Sequence, residues 1–235
     1  RKNYFYPDLP KGYQITQYDQ PIISGGWVEI NSSEGARRIG ITRVNLEEDA
    51  GKTTHPPGVD YSLVDLNRAG TPLLEIVSEP ELHSAPEAKA FARELWLLMK
   101  YAGVTEGDLY HGHVRFDVNV SLSENSKLGT RSEVKNLNSF RSVENAVAYE
   151  IKRQAEILDK GGQVAQETRG WDEAKQKTTP QRTKEEAHDY RYFPEPDIPP
   201  VMLRDEYVNE LEAKLPKLPG DLRRDLARLK LDLRV

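Results

Sequence analysis

The stretch that most restricts this chain runs from Asp65 to Pro80, DLNRAGTPLLEIVSEP. Leu73-Leu74 and Ile76-Val77 put apolar side chains on both faces of a short extended run, the pattern of a strand with cover on both sides. Glu75 interrupts that run. A carboxylate taken out of water without a partner is expensive, so the position calls for a cation, a metal ion or a proton. Gly70 and Pro72 punctuate the turn before it and fix where the strand starts.

A second stretch alternates strictly. In RFDVNVSL, from Arg115 to Leu122, Arg115, Asp117, Asn119 and Ser121 share one face, and Phe116, Val118, Val120 and Leu122 share the other. After a polar turn, SEVKNLNSF places Glu133 and Lys135 in the same direction. The two runs predict a hairpin with its apolar face on the core and a charged face opposite, carrying Arg115, Asp117, Glu133 and Lys135. Two readings of that face stay open: a solvated surface laced with salt bridges, or a site.

Composition narrows the classes. The 235 residues suffice for one large domain or a domain and a half. The absence of cysteine rules out disulfides and thiolate metal sites and fits a reducing compartment, and five histidines argue against a histidine-based zinc centre. No apolar run approaches a membrane span, and no signal peptide is visible. A net charge of -5 and a mean hydropathy of -0.71 imply a wet, acidic surface, so phosphate contacts would need a local basic patch. The chain opens on Arg1 and stops at Val235 inside a helical pattern, as a piece of something longer would.

Residues 1–23 are rich in aromatics and prolines, which forbid a long helix. The tyrosines beside Arg1, Lys2 and Lys11 would pin a loop to the body, or present a surface to nucleotide bases. A hairpin is predicted from strands 27–31 and 37–49, leading into the acids Glu47, Glu48 and Asp49, which read as solvated or as part of a metal–phosphate site. Gly51-Lys52 lacks P-loop spacing. Residues 59–67 read as a further strand. Ser84 and Glu87 form a capping box that opens a helix to Gly103. A second helix is predicted over 142–160, with Val143, Val147, Ile151, Ala155 and Leu158 inward and Glu150, Lys152, Arg153 and Glu156 on a solvated side. Residues 163–173 look strand-like, with a polar turn over 173–178. Arg182, Lys184 and Arg191 mix with Tyr190 and Tyr192, and prolines at 194, 196, 199 and 200 end the domain. Residues 201–235 read as the start of a separate helical domain.

Seven stretches, in order and covering nearly everything to residue 200, resemble the B-subunit family of the tRNA-dependent amidotransferase (the GatB/GatE family). They are RKNYFYPDLPKGYQITQYDQPI, LEEDAGK, DLNRAGTPLLEIVSEP, RFDVNVSL, EVKNLNSF, QETRGWD and DYRYFPEPD. The resemblance implies an α+β catalytic domain over 1–200: an antiparallel sheet with helices on one side, similar to the glutamine synthetase and guanido kinase cradle. It implies a ligase forming a carbon–nitrogen bond with glutamine as amido donor. Such a subunit phosphorylates the side-chain carboxylate of Glu-tRNA(Gln) or Asp-tRNA(Asn) with ATP and Mg²⁺. It then amidates that carboxyl with ammonia from its amidase partner, the A subunit, and the small C subunit clamps the pair. The setting would be cytoplasm or organellar matrix.

That chemistry gives the acids a purpose. A carboxylate resists ammonia because oxide leaves poorly, and an acyl phosphate does not. Phosphoryl transfer asks for positioning and neutralised charge, and Mg²⁺ takes a few hard carboxylates beside water and phosphate. With the resemblance, Glu75, Asp117 and Glu133 are the expected metal ligands and catalytic acids, converging around one divalent ion. Arg115, Lys135, Arg131 and Lys52 are expected to meet the phosphates. The chain departs from the family in three places. A Glu-Val-His signature belongs before its first residue, Phe116 stands where cysteine is frequent, and Tyr110-His111-Gly112-His113 replaces a Glu-Gly-Ser turn. On these grounds the chain alone is expected to be inactive. A noncatalytic adaptor that presents tRNA is the alternative. The archaeal E-subunit paralogue would need an inserted domain for which the chain has no room.

Overall fold

The computed structural model describes residues 1–17, 19–125, 127–183 and 190–229. The strands are β1 (Lys2–Asn3), β2 (Tyr13–Gln14), β3 (Ile23–Ser24), β4 (Trp27–Ser32), β5 (Gly35–Glu48), β6 (Lys52–Thr54), β7 (Leu63–Asp65), β8 (Pro72–Ser78), β9 (Phe116–Val120), β10 (Ser132–Leu137), β11 (Glu167–Asp172) and β12 (Lys177–Thr183). The helices are α1 (Ala85–Tyr101), α2 (Phe140–Leu158), α3 (Asp205–Lys214) and α4 (Pro219–Arg228). The chain is α+β, in two compact units. One holds residues 1–27, 40–81 and 188–202, the other 28–39, 82–187 and 203–235. None of the described helices is long and apolar enough to cross a membrane.

In the first unit β8 pairs antiparallel with β5, setting Asn45 opposite Glu75 and Glu47 opposite Leu73. Leu73, Leu74, Ile76 and Val77 are all only partly buried. The expected two-sided cover is therefore incomplete: this unit has no helix of its own among the described residues to close a face. The strand expected over 59–67 shrinks to β7, paired with β6. Val59, Tyr61 and Leu63 stay exposed, so burial does not extend the strand.

The acids Glu47, Glu48 and Asp49 are tied down, contrary to the solvated reading. Thr16 donates to Glu47, Lys11 and the Ile15 amide donate to Glu48, and Arg68 meets Asp49 at 2.8 Å. The N-terminal aromatics bind their own cations. The Arg1 guanidinium lies 4.3 Å from the Tyr13 ring and 4.5 Å from Phe193, and Asn3 N donates to Tyr190 O. Here the loop-pinning reading holds.

Gly51 is required by close approach. A Cβ there would sit 2.6 Å from the Asp65 carbonyl oxygen and 3.0 Å from that of Asp8, both backbone atoms with little room to yield. Gly51→Ala is expected to destabilise the protein by about 1–3 kcal/mol; a shift in the urea midpoint at unchanged slope would show it.

The second unit contains a four-stranded sheet in the order β12-β11-β10-β9. The β9–β10 hairpin is antiparallel, with Glu133 opposite Asn119. However, β10 and β11 run parallel, so the sheet is mixed, not wholly antiparallel as expected. A parallel partner needs a long crossover, and α2 supplies it. Ala85, Ala88 and Ala92 of α1 and Val143, Ala146 and Val147 of α2 pack on Val120, Val134, Leu137 and Trp171 of the sheet. Of the two, α2 lies directly on the strands, and α1 packs chiefly against α2. Both helices thus cover one face of the sheet.

Ser84 caps α1 by accepting from Glu87 N, and Glu87 reaches back to His83 N. Helix α2 starts two residues before expectation: Ser139, not Ser142, is its cap, and it accepts from Ser142 N. The turn expected over 173–178 ends by Gln176, because β12 begins at Lys177. Lys184 lies outside the described residues, as does the Arg182 side chain. The tail forms helices as its pattern predicts. Arg223 of α4 grips Glu94 of α1 through two hydrogen bonds, of 2.9 and 2.6 Å.

Candidate functional site

The alternation of β9 and β10 decides which side chains face away from the helices. Val118, Val120, Val134 and Leu137 turn inward; Asp117, Asn119, Glu133 and Lys135 turn to the open face. The ladder shifts register between Val134 and Leu137, where Asn136 takes φ 68°. This irregularity swings Leu137 back into the core and leaves Lys135 on the open face.

On that face three predicted residues meet. The Lys135 ammonium lies 3.2 Å from Asp117 Oδ2 and 3.4 Å from Glu133 Oε1. Burial disfavours its charge, but the two carboxylates outweigh this and push its pKa up, so it stays an ammonium. Asp117 is 50% exposed and Glu133 32%. Glu133 has a further partner: Thr168 of β11 donates to its Oε2 at 3.0 Å. Next along the face, Gly170 has no side chain. A Cβ there would meet the Gln181 amide nitrogen at 2.3 Å, so glycine lets that amide lie flat on the strand.

Arg115 is exposed at the start of β9 and lines an open depression of about 600 Å³ with Leu109, Tyr110, His111, Gly112 and Asn138. In that loop the backbone and ring of His111 hydrogen-bond Asp108 at 2.9 and 2.8 Å and pull its pKa down to about 2. Arg131 is exposed just before β10.

Glu75 and Lys52 belong to the first unit. Arg43, Asn45 and Glu47 of β5 share a face with Glu75 of β8, by the register of the pair. Arg43 Nη2 lies 3.9 Å from Glu75, which is 43% exposed, half-buried where its apolar neighbours suggest full cover. Burial and then Glu47 push the Glu75 carboxyl up; Arg43, Lys2 and Asn45 act the other way and do not restore it. Lys52 is exposed on β6 opposite Asp65. Among the described residues, no group of three or more His, Cys, Asp or Glu is placed to hold a metal ion.

Sequence reading missed a buried polar network on the helix-covered side of the sheet. Glu150, expected on a solvated face of α2, is 0% exposed. Arg153 meets it at 2.8 Å and Arg169 at 3.2 Å, and Thr178 donates to it. Burial pushes its carboxyl up, but the hydrogen bonds of Arg153 and Thr178 and the arginine charge outweigh this, and the net shift is downward. Gln154, also fully buried, donates to Val120 O and accepts from Leu122 N. The signal was available: Glu150 and Gln154 fall at i+7 and i+11 from Val143, on the stripe and not opposite it.

Residues 1–209 match the GatB/GatE catalytic domain. The chain is 55% identical over 221 residues to the B subunit of the aspartyl/glutamyl-tRNA(Asn/Gln) amidotransferase of Persephonella marina, covering 93% of this chain and 46% of that protein. It is 54% identical over 230 residues to the protein of the same name from Coxiella burnetii, covering 97% and 48%. The chain thus spans about half the length of these relatives. With a match over most of its length and these identities, the chain belongs to the GatB/GatE family.

Proposed function

We propose that this chain is the catalytic domain of a tRNA-dependent amidotransferase subunit. In this reading residues 1–200 form a cradle of the glutamine synthetase and guanido kinase kind, and residues 201–235 begin a helical domain. The side-chain carboxylate of a mischarged Glu-tRNA(Gln) or Asp-tRNA(Asn) attacks the γ-phosphorus of ATP. ADP leaves and an acyl phosphate forms. Ammonia from an amidase partner, held with a small third subunit, then attacks the acyl carbon, and phosphate departs as the amide forms.

The observation that carries this reading is the convergence of Asp117 and Glu133 on one cation, the Lys135 ammonium, on the open face of the sheet. Two carboxylates that already face a common positive charge suit Mg²⁺, which is satisfied by one or two carboxylates with water and phosphate oxygens. Asp117 and Glu133 would hold the ion in the second unit, and Glu75 is a ligand proposed for the first. Bound there, Mg²⁺ would neutralise phosphate oxygens. Lys135, Arg115 and Arg131 would place and neutralise the triphosphate as charge moves onto the leaving ADP, and Lys52 is the phosphate-binding cation proposed for the first unit.

The test uses the full-length protein in complex with its partners. With ATP and mischarged tRNA, ADP and amidated tRNA should appear together, and Asp117→Asn should slow both by about a hundredfold. Unchanged ADP formation in that variant would leave the adaptor reading in its place.

A further inference from the structure

Glu133 is gripped at both of its oxygens. Lys135 lies 3.4 Å from Oε1, and Thr168 donates to Oε2 at 3.0 Å. A carboxylate held at one oxygen can swing about its terminal torsion; held at both, it cannot. The lysine is itself a long, mobile side chain shared with Asp117. The threonine is short, branched and carried on a neighbouring strand, so it fixes direction where the lysine mainly supplies charge.

What holds Thr168 is on the other side of the sheet. Alternation sends its neighbours Glu167 and Arg169 toward α2, where both enter the buried network. Arg169 donates to Thr178 at 2.7 Å, lies 3.2 Å from Glu150 and also pairs with Glu167. Arg153 of α2 donates to Ser132, the residue before Glu133, at 3.0 Å, and Ser132 pairs with Glu167 across the ladder. The network therefore clamps β10 and β11 together at the rung beside the one where Glu133 faces Thr168. The β11–β12 ladder shifts register between Thr168 and Arg169.

We propose that Thr168 is a positioning residue: its hydroxyl sets the direction of the Glu133 carboxylate, and the buried Glu150–Arg153–Arg169 network sets Thr168. This rests on the reading of Glu133 as a metal-binding acid. The hydroxyl acts from outside the ligand set, and loss of such a partner typically weakens metal binding or activity ten- to hundredfold.

The experiment compares Thr168→Val, which keeps the branched shape and removes the donor, with Thr168→Ser, which keeps the donor. Both are made in the full-length protein within its complex, with Glu133→Gln as reference. Mn²⁺ binding is followed by water-proton relaxation without substrates, beside kcat and KM for amide formation. Thr168→Val should raise the Mn²⁺ midpoint about tenfold and lower kcat by a similar factor, leaving the KM for tRNA and the melting temperature in place. Thr168→Ser should stay within about twofold of the parent, and adding Thr168→Val to Glu133→Gln should cause no further loss. A normal Thr168→Val beside a defective Glu133→Gln would overturn the positioning role alone. A Thr168→Ser as poor as Thr168→Val would also overturn it, since packing would then explain the loss. A fully active Glu133→Gln with normal Mn²⁺ binding would overturn both this inference and the reading beneath it.

Discussion

Replacing Glu150 by glutamine in the full-length protein should destabilise the unit that carries it by about 3 kcal/mol, because two guanidinium groups lose their fully buried counter-charge and keep only Glu167. Arg169 has only 7% of its side chain exposed and Arg153 17%, so neither finds much water without moving. Urea unfolding followed by tryptophan fluorescence, to which Trp171 in the same core contributes, reads the change. Replacing Glu150, Arg153 and Arg169 together by apolar residues of similar volume should recover most of the loss, since buried ion pairs seldom outdo well-packed hydrocarbon. If the single variant is as stable as the parent, the network does not bear on stability. The pH dependence has a definite sign. A carboxyl held below its ordinary value in the folded state contributes stability that is complete above about 4.5 and lost as pH falls through the folded value. The parent should therefore lose stability steeply on acidification below that point. Glu150→Gln, already deprived of the pair, should show a flatter acid limb.

Much of the second unit was legible because its signals are local. Strict alternation in 115–122 and 132–135 named the open face, and it is there that Asp117, Glu133 and Lys135 meet. Ser84 and Glu87 placed the start of α1 to the residue. What was lost lay in pairings between distant parts of the chain. The place of Glu150 on the apolar stripe announced its burial, but its second cation, Arg169, comes from a strand reached only after the helix has ended. The same blindness hid the parallel β10–β11 pair, although a strand, a long helix and a strand in succession is the usual way parallel neighbours are joined. For β8 the error was one of environment. Its sequence suits a covered strand, and among the described residues its unit has no helix to cover it.

Glu75→Gln should reduce ATP-dependent amide formation by the complete complex about a thousandfold, with the glutaminase activity of the proposed amidase partner unchanged. The physical case rests on a conflict at this position. Burial and the neighbouring Glu47 raise the Glu75 carboxyl above its ordinary value despite Arg43 and Lys2. A folded-state acid with a raised value binds its proton more tightly than the unfolded chain does. Stability falls as pH rises through the interval above about 4.5, where the unfolded group has ionised and the folded one resists. At neutral pH the carboxylate is thus a small burden on the fold, softened by its exposure to solvent. Glutamine resembles the protonated form and removes that burden, so the variant should melt no lower than the parent at pH 7 and should match it at pH 4. A residue held against its own electrostatic preference in a partly covered strand points to work other than stability. Melting temperature and amide formation measured on one preparation separate the cases. Lost activity with retained or raised stability assigns Glu75 to the chemistry. Lost stability makes it a structural acid, and full activity removes it from the site.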